Sequence, residues 1–371
     1  MTQRGDSLLL GTRKGLLWYE RRNGRYELAR VAHEGNPIAY AAVDPRDGAC
    51  WACIDHGHWG QKLSRSRDRG ETWEELPAPK YPDGAEVVDG FPGMGERKRI
   101  PAVLRYLWVF QPGGADQPGR VYLGTEPGGL FVSDDSGASW TLCEGLWNHP
   151  SRMEFWSGGG RDLAGIHSIV VDPRNSKRVL IAVSSAGVFE TVDDGRTWQS
   201  RTKGLRNDYA PEPHGEFGHD PHFVTLCPAE PDRLWMQNHF GIFTSADGAR
   251  SWIDVSQKDG PARFGFPIAV DEHDPRSAWV VPGESDQKRL AHKRVLCVAR
   301  TQDAGASWQT LTRGLPSGAS FDIVLRHALD LAGDTLCFAS TTGNAFVSAD
   351  RGESWSCLSN HLPPVYSVRF A

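Results

Sequence analysis

Two histidines occupy the same register in two separate segments. His167 lies six residues before Pro173 and His222 six residues before Pro228, each near the start of an apolar run that its proline closes. The same count back from Pro112 reaches Tyr106, and from Pro45 it reaches Ala39. A third imidazole, His239, follows Asn238 in a short polar break, and Glu126 occupies the corresponding break in Gly124-Thr125-Glu126-Pro127. Imidazoles and a carboxylate brought together suit proton transfer or coordination of a divalent metal, since both need groups with near-neutral pKa held close. The candidate catalytic groups are therefore His167, His222, His239 and Glu126, with the three histidines also the candidate metal ligands. Asn238, Arg13, Tyr106 and His58 are the candidate ligand-binding residues.

Other clusters are weaker. Cys50-Trp51-Ala52-Cys53, followed by His56 and His58, has a zinc-like spacing, but the segment reads as a strand and residues three apart on a strand face opposite sides. His214-Gly215-Glu216-Phe217-Gly218-His219-Asp220 reads as a polar loop at the surface. Arg326-His327 falls toward the far end of an expected inner strand and is left out of the site. The sequence contains no serine-nucleophile elbow, phosphate loop, dinucleotide fingerprint or zinc-protease motif.

The elements that must position these groups follow from a repeat. Ser/Thr-x-Asp-x-Gly-x-Ser/Thr-Trp occurs at Ser66 to Trp73, Ser133 to Trp140, Thr191 to Trp198, Thr301 to Trp308 and Ser348 to Trp355. A sixth copy, Ser245 to Trp252, has its glycine one place early. The Trp-to-Trp steps are 67, 58, 54, 56 and 47 residues. A loose period of about 50 residues suits propeller blades, each a four-stranded sheet with its loops. The motif itself is a turn staple: the Asp carboxylate accepts backbone N–H groups and Gly supplies the positive φ.

Each copy sits in one frame. From Gly165 to Leu205, Ile166 to Val171 reads as the inner strand, Arg178 to Val183 as the second and Gly187 to Thr191 as the third; the fourth starts at Trp198. The same frame fits Ala39 to Leu76, Tyr106 to Leu146, His222 to Val255, Phe266 to Leu315 and Phe321 to Leu358. The ends complete the count. Ser7 to Gly11, Leu16 to Tyr19 and Tyr26 to Val31 lack an inner strand, and Val365 to Phe370 is a strand without a blade. The expectation is an all-β, seven-bladed β-propeller of four-stranded antiparallel blades, a single domain over 1-371, closed by N- and C-terminal strands in one blade. The long segments Lys80 to Arg105, Cys143 to Gly165 and Gly204 to Pro221 all fall on the face opposite the Asp turns, with Glu284 to Arg294 as a further insertion. They wall a pocket over the channel mouth, where the candidate residues meet.

Composition narrows the function. A net charge of −5 with no long basic run excludes the electrostatic footprint of nucleic-acid binding. No apolar stretch reaches the length of a membrane span, the N-terminus reads without a signal peptide, and seven scattered cysteines suit reduced thiols, so a cytoplasmic protein is expected.

The six turns resemble the BNR/Asp-box repeat superfamily, and nearly the whole chain takes part. Gly124 to Pro127, Ser157 to Gly160, Ile166 to Val170 and Gln237 to Gly241 make it similar to bacterial single-propeller BNR-like proteins labelled sialidase-like or glycosyl-hydrolase-like. The resemblance implies the fold and leaves the activity open. Sialidases have six blades and an Arg-Ile-Pro segment before the first box; here Arg99-Ile100-Pro101 follows it. Xyloglucan-cleaving relatives set two propellers around a cleft. Glycosidase activity is therefore not expected. The favoured reading is a small polar ligand at the channel mouth, with hydrolase or lyase chemistry that a divalent metal assists. The competing reading is a scaffold for a protein partner, anchored by Trp147, Phe155 and Trp156 as an exposed aromatic patch.

Overall fold

The computed structural model describes residues 4–371. Seven four-stranded antiparallel sheets form the ring. The inner strands of the first six blades are Ile38–Val43, Tyr106–Pro112, Ile166–Asp172, Pro221–Cys227, Gly265–Val270 and Leu329–Ala332. The seventh blade joins both ends of the chain: Val365–Phe370 is its inner strand, and Ser7–Thr12, Gly15–Arg22 and Arg25–Ala32 follow outward. Leu8 pairs with Phe370 and Leu10 with Val368. Arg369 adds a cross-blade tie, its guanidinium donating to the Tyr40 hydroxyl at 3.0 Å and to the His327 carbonyl at 3.0 Å.

The second strands explain why apolar runs, rather than alternation, mark this fold. Each lies between two neighbouring blades and is buried on both faces, as in Cys50–His56 and Val121–Glu126. Cys50 and Cys53 lie in different hydrophobic clusters on opposite sides of their strand, so they form no metal pair. Trp51, Trp235 and Trp279 are fully buried between blades. Truncating one such side chain to alanine costs about 3–5 kcal/mol.

The acidic turns share one hydrogen-bond pattern. In the first, Ser66 Oγ donates to Asp68 Oδ1 at 2.8 Å while accepting the Gly70 N–H at 2.8 Å; Asp68 Oδ1 in turn accepts the Thr72 N–H at 2.9 Å. Five of the six turn tryptophans divide into two groups, and Trp355 Nε1 has no hydrogen-bond partner among the described residues. Trp73 and Trp198 donate to a carbonyl of their own turn, whereas Trp140, Trp252 and Trp308 donate to Pro77, Arg201 and Val255 of the preceding blade. Two consecutive residues of each turn have positive φ. In the irregular copy these are Gly248 at 72° and Ala249 at 68°, so the displaced glycine still occupies a left-handed position.

Three sequence expectations need correction. The sixth inner strand is Leu329–Ala332, not a strand from Phe321; residues 321–328 form a loop at the channel mouth. Serine and Asp322 divert this segment, with Ser320, Ser340 and Thr342 hydroxyls and the Asn344 amide all donating to the Asp322 carboxylate. The Lys80 to Arg105 segment is no open loop but carries a hairpin of Glu86–Phe91 with Met94–Pro101, which places Arg99-Ile100-Pro101 on an outlying strand. The Cys143 to Gly165 segment contains short helices at Glu144–Trp147 and Ser151–Phe155. No helix among the described residues is long and apolar enough to cross a membrane.

Candidate functional site

Long loops over the ring and the starts of the inner strands build the mouth. Pro221–Cys227 presents His222 at its second residue, and the turn after Glu230–Asn238 presents His239. Asp220 immediately precedes the same inner strand. The His239 N–H donates to the Asp220 carbonyl at 3.0 Å, which fixes the two segments side by side.

One donor atom from each of Asp220, His222 and His239 lies within 4.8 Å of the others. Asp220 Oδ2 is 3.5 Å from His222 Nε2 and 3.3 Å from His239 Nδ1, while its Oδ1 accepts the Ser185 N–H at 3.0 Å. His222 Nδ1 is 2.6 Å from the Gly265 carbonyl. A carbonyl can only accept, so Nδ1 carries the proton, and in the neutral ring Nε2 is a lone pair facing a carboxylate oxygen. The ring stacks on Phe266 at 4.6 Å. Burial lowers the His222 pKa against the opposing pull of Asp220, favouring that neutral ring. Burial alone would raise the Asp220 carboxyl, and the nearby Arg326 charge opposes that rise. His239 Nε2 lies 3.7 Å from Asp286 Oδ2, an outer carboxylate that also receives the Tyr209 hydroxyl at 3.4 Å. Two imidazoles and one carboxylate form a set suited to a divalent transition metal, with a backbone carbonyl and a second carboxylate orienting the rings from behind.

The remaining candidates take different places. His167 is fully buried outside this set; its Nδ1 meets Ser168 Oγ at 3.0 Å, and burial pushes its pKa well down. Glu126 is buried, with its oxygens occupied by the Arg161 guanidinium and by the Leu163 N–H at 3.0 Å, so it is neither a solvated turn residue nor a ligand beside the histidines. Asn238 is buried, and its side-chain oxygen accepts the Phe240 N–H at 3.0 Å, bracing the turn that carries His239. Arg13 and Tyr106 line a cavity of about 400 Å³ on the other side of the mouth, with Asp55, Arg161, Arg326 and Tyr366. His58 is exposed and packs edge-on against Trp59, while Gly57 rather than His58 reaches that cavity.

Two groups left aside on sequence grounds belong at the centre. Asp220 belongs to the segment expected as a surface loop; its position two residues before His222 is the signal that could have found it. Arg326 was assigned to the far end of a strand that does not exist there. Its guanidinium carbon lies 5.2 Å from the Trp108 ring and 5.3 Å from the Phe266 ring, which belong to the second and fifth blades. The aromatic anchors expected of a scaffold are covered: Trp156 is buried, Arg152 lies 3.7 Å over the Trp147 ring, and Phe155 stacks on Phe217 at 5.1 Å.

Comparison with known proteins places the chain among propellers of several activities. No family profile matches. Among curated proteins, the chain is 26% identical over 226 residues to the oligoxyloglucan-reducing end-specific xyloglucanase of Emericella nidulans, a match covering 56% of this chain and 26% of that enzyme. It is 25% identical over 311 residues to xyloglucanase Xgh74A of Acetivibrio thermocellus, covering 74% of this chain and 32% of the relative. The matched region is thus about a quarter to a third of the length of these relatives. Among solved structures, an ancestral GH74 enzyme superposes with a TM-score of 0.59 at 15% identity, over 89% of this chain and 37% of that one. The periplasmic gluconolactonase of Pseudomonas aeruginosa gives 0.59 at 12% identity over 98% of both chains. YCF48 from Cyanidioschyzon merolae gives 0.54 at 12% identity, over 100% of this chain and 92% of that one. These likenesses show the seven-bladed fold, with glycosyl-hydrolase-like neighbours, and are consistent with the BNR-like resemblance.

Proposed function

We propose that the chain is a metal-assisted hydrolase or lyase acting on a small polar ligand at the channel mouth, with Asp220, His222 and His239 as the metal ligands. The observation that carries this reading is the contact between His222 Nε2 and Asp220 Oδ2 at 3.5 Å. The Gly265 carbonyl holds the ring proton on the opposite nitrogen, so two electron-rich atoms face each other, an arrangement that a cation between them relieves. Such an ion would supply a Lewis acid for a carbonyl or for water. His239, backed by Asp286, holds its ring toward the same point.

The curated relatives are named as xyloglucanases, and the chain spans only part of them. Glycoside hydrolysis by paired carboxyl groups needs one acid whose pKa is raised. Asp220 has the Arg326 charge nearby, which opposes such a rise, and Glu126 is tied to Arg161. The substrate tests therefore set xyloglucan oligosaccharides beside small esters and lactones.

The test is metal analysis of the full chain purified without an affinity tag, followed by titration of the metal-free protein with zinc and manganese. One equivalent bound, and lost in His222→Ala and in His239→Ala but kept in His167→Ala, is the expected result. Binding that survives both losses, or no binding at all, would overturn the reading.

A further inference from the structure

Arg326 is 7% exposed, yet its Nε and Nη2 have no hydrogen-bond partner and it makes no ion pair among the described residues. An unpaired guanidinium in so dry a place is costly, because burial penalises the charge and leaves strong donors unmet. Burial does weaken its hold on the proton, lowering the pKa to about 10, so the group stays cationic at neutral pH.

Trp108 and Phe266 wall the guanidinium. Gly160 lies against it so closely that a Cβ there would come within 2.5 Å of Nη2. Gly159, one residue earlier, is packed against Ser185, and a Cβ on it would lie 3.4 Å from Asp220 Oδ1. The glycine run therefore passes from beside Ser185 and Asp220 to the guanidinium, and Ser185 and Arg326 leave no room for its missing side chains. His222 stacks on the same Phe266 ring that Arg326 approaches. Arg326 also lines the cavity that holds Arg13, Tyr106 and Tyr366.

We infer that the ligand of this site carries a carboxylate, received by the fork of Arg326, together with a second oxygen that reaches toward Asp220, His222 and His239. The inference rests on the mouth being the ligand site, as proposed above. A planar carboxylate matches the guanidinium two bonds at a time. The ligand class is a small hydroxy or oxo acid, sugar acids included.

The experiment is calorimetric titration of the zinc-treated full chain with glycolate and D-gluconate, against ethylene glycol, glucose and inorganic phosphate. Binding by at least one of the two carboxylates and not by the neutral pair or phosphate is expected. Arg326→Met should weaken that binding at least tenfold while stoichiometric zinc uptake persists. Should Arg326→Met fail to fold, Gly160→Val carries the same test, since its side chain occupies the face of the guanidinium. Silence from both carboxylates, equal binding by the neutral probes, binding by phosphate alone, or an unchanged carboxylate affinity in the variant overturns the inference. Arg326-dependent carboxylate binding by a chain that takes up no zinc would uphold this inference and sink the metal reading instead.

Discussion

His327 Nε2 donates to the carbonyl oxygen of His167 at 2.7 Å, a hydrogen bond that crosses the channel from the sixth blade to the third. With Tyr40 edge-on at 4.9 Å and Phe223 at 5.5 Å, the His327 ring closes the channel beneath the mouth. A buried imidazole in this position must be neutral. Burial and the neighbouring Arg369 charge lower its pKa to about 3. The unfolded chain takes up the proton near the ordinary value of about 6.5, so the stabilising contribution is complete above that value and is lost as pH falls from there toward 3. His327→Gln should flatten the fall in unfolding free energy between pH 6.5 and 5, which for one such group is at most about 1.4 kcal/mol per pH unit. Urea unfolding at several pH values measures it; parallel profiles for wild type and variant would remove His327 as the cause.

Asp286 stands behind His239 as Gly265 stands behind His222. Its replacement leaves the three proposed ligands in place but removes the carboxylate that orients one ring. Asp286→Asn should therefore weaken zinc binding about 10–100-fold, in the range typical of outer carboxylates. Asp220→Asn should abolish it. Competition titration with a chromophoric chelator separates the two; equal losses would place Asp286 among the ligands themselves.

The acidic turns should set the acid limit of the fold. Asp68, Asp135 and Asp193 are held at about 2 by hydrogen bonds from Thr or Ser in the same turn. The folded pKa lies below the unfolded value, so this contribution is present above about pH 4 and is lost as pH falls through 2. Circular dichroism should report an intact β signal at pH 4.5 and a steep loss below pH 3. In Asp135→Asn the loss should depend less on pH, since one of the coupled protonations is gone. An acid limit identical in wild type and in a variant lacking all three carboxylates would show that they do not set it.

The ring was legible in the sequence because each blade repeats a local signal: an apolar run, a proline, and a turn whose Asp and hydroxyl groups satisfy one another. The pairing of Ser7–Thr12 with Val365–Phe370 followed from counting strands at both ends. The site was legible only where it obeyed the repeat. His222 and Tyr106 were legible by register, and His239 and Arg13 by facing the same end. Asp220 and Arg326 escaped because each stands just outside a strand, in a connection whose course depends on contacts far away in the chain. The loop carrying Arg326 bends around Asp322, whose partners Ser340, Thr342 and Asn344 belong to a later turn. His167 obeyed the register, yet its side chain is buried beside Trp108, away from Asp220 and the other two imidazoles.

Closure by two chain ends makes the last strand separable in principle. Truncation after Pro364 removes Val365–Phe370, and with it the pairing of Leu8, Leu9 and Leu10 and the Arg369 ties to Tyr40 and His327. The strand Ser7–Thr12, buried along its whole length in the closed ring, becomes an open apolar edge facing the channel. The truncated chain should unfold at a lower denaturant concentration and associate at micromolar concentration. A synthetic peptide of residues 364–371 added in trans should reverse that association, and an Arg369→Ala peptide should do so less well. Analytical ultracentrifugation with and without peptide reads this directly. A truncated chain that stays monomeric with an unchanged midpoint would mean that the terminal strand contributes no closure energy, and the ring would then rest on blade-to-blade packing alone.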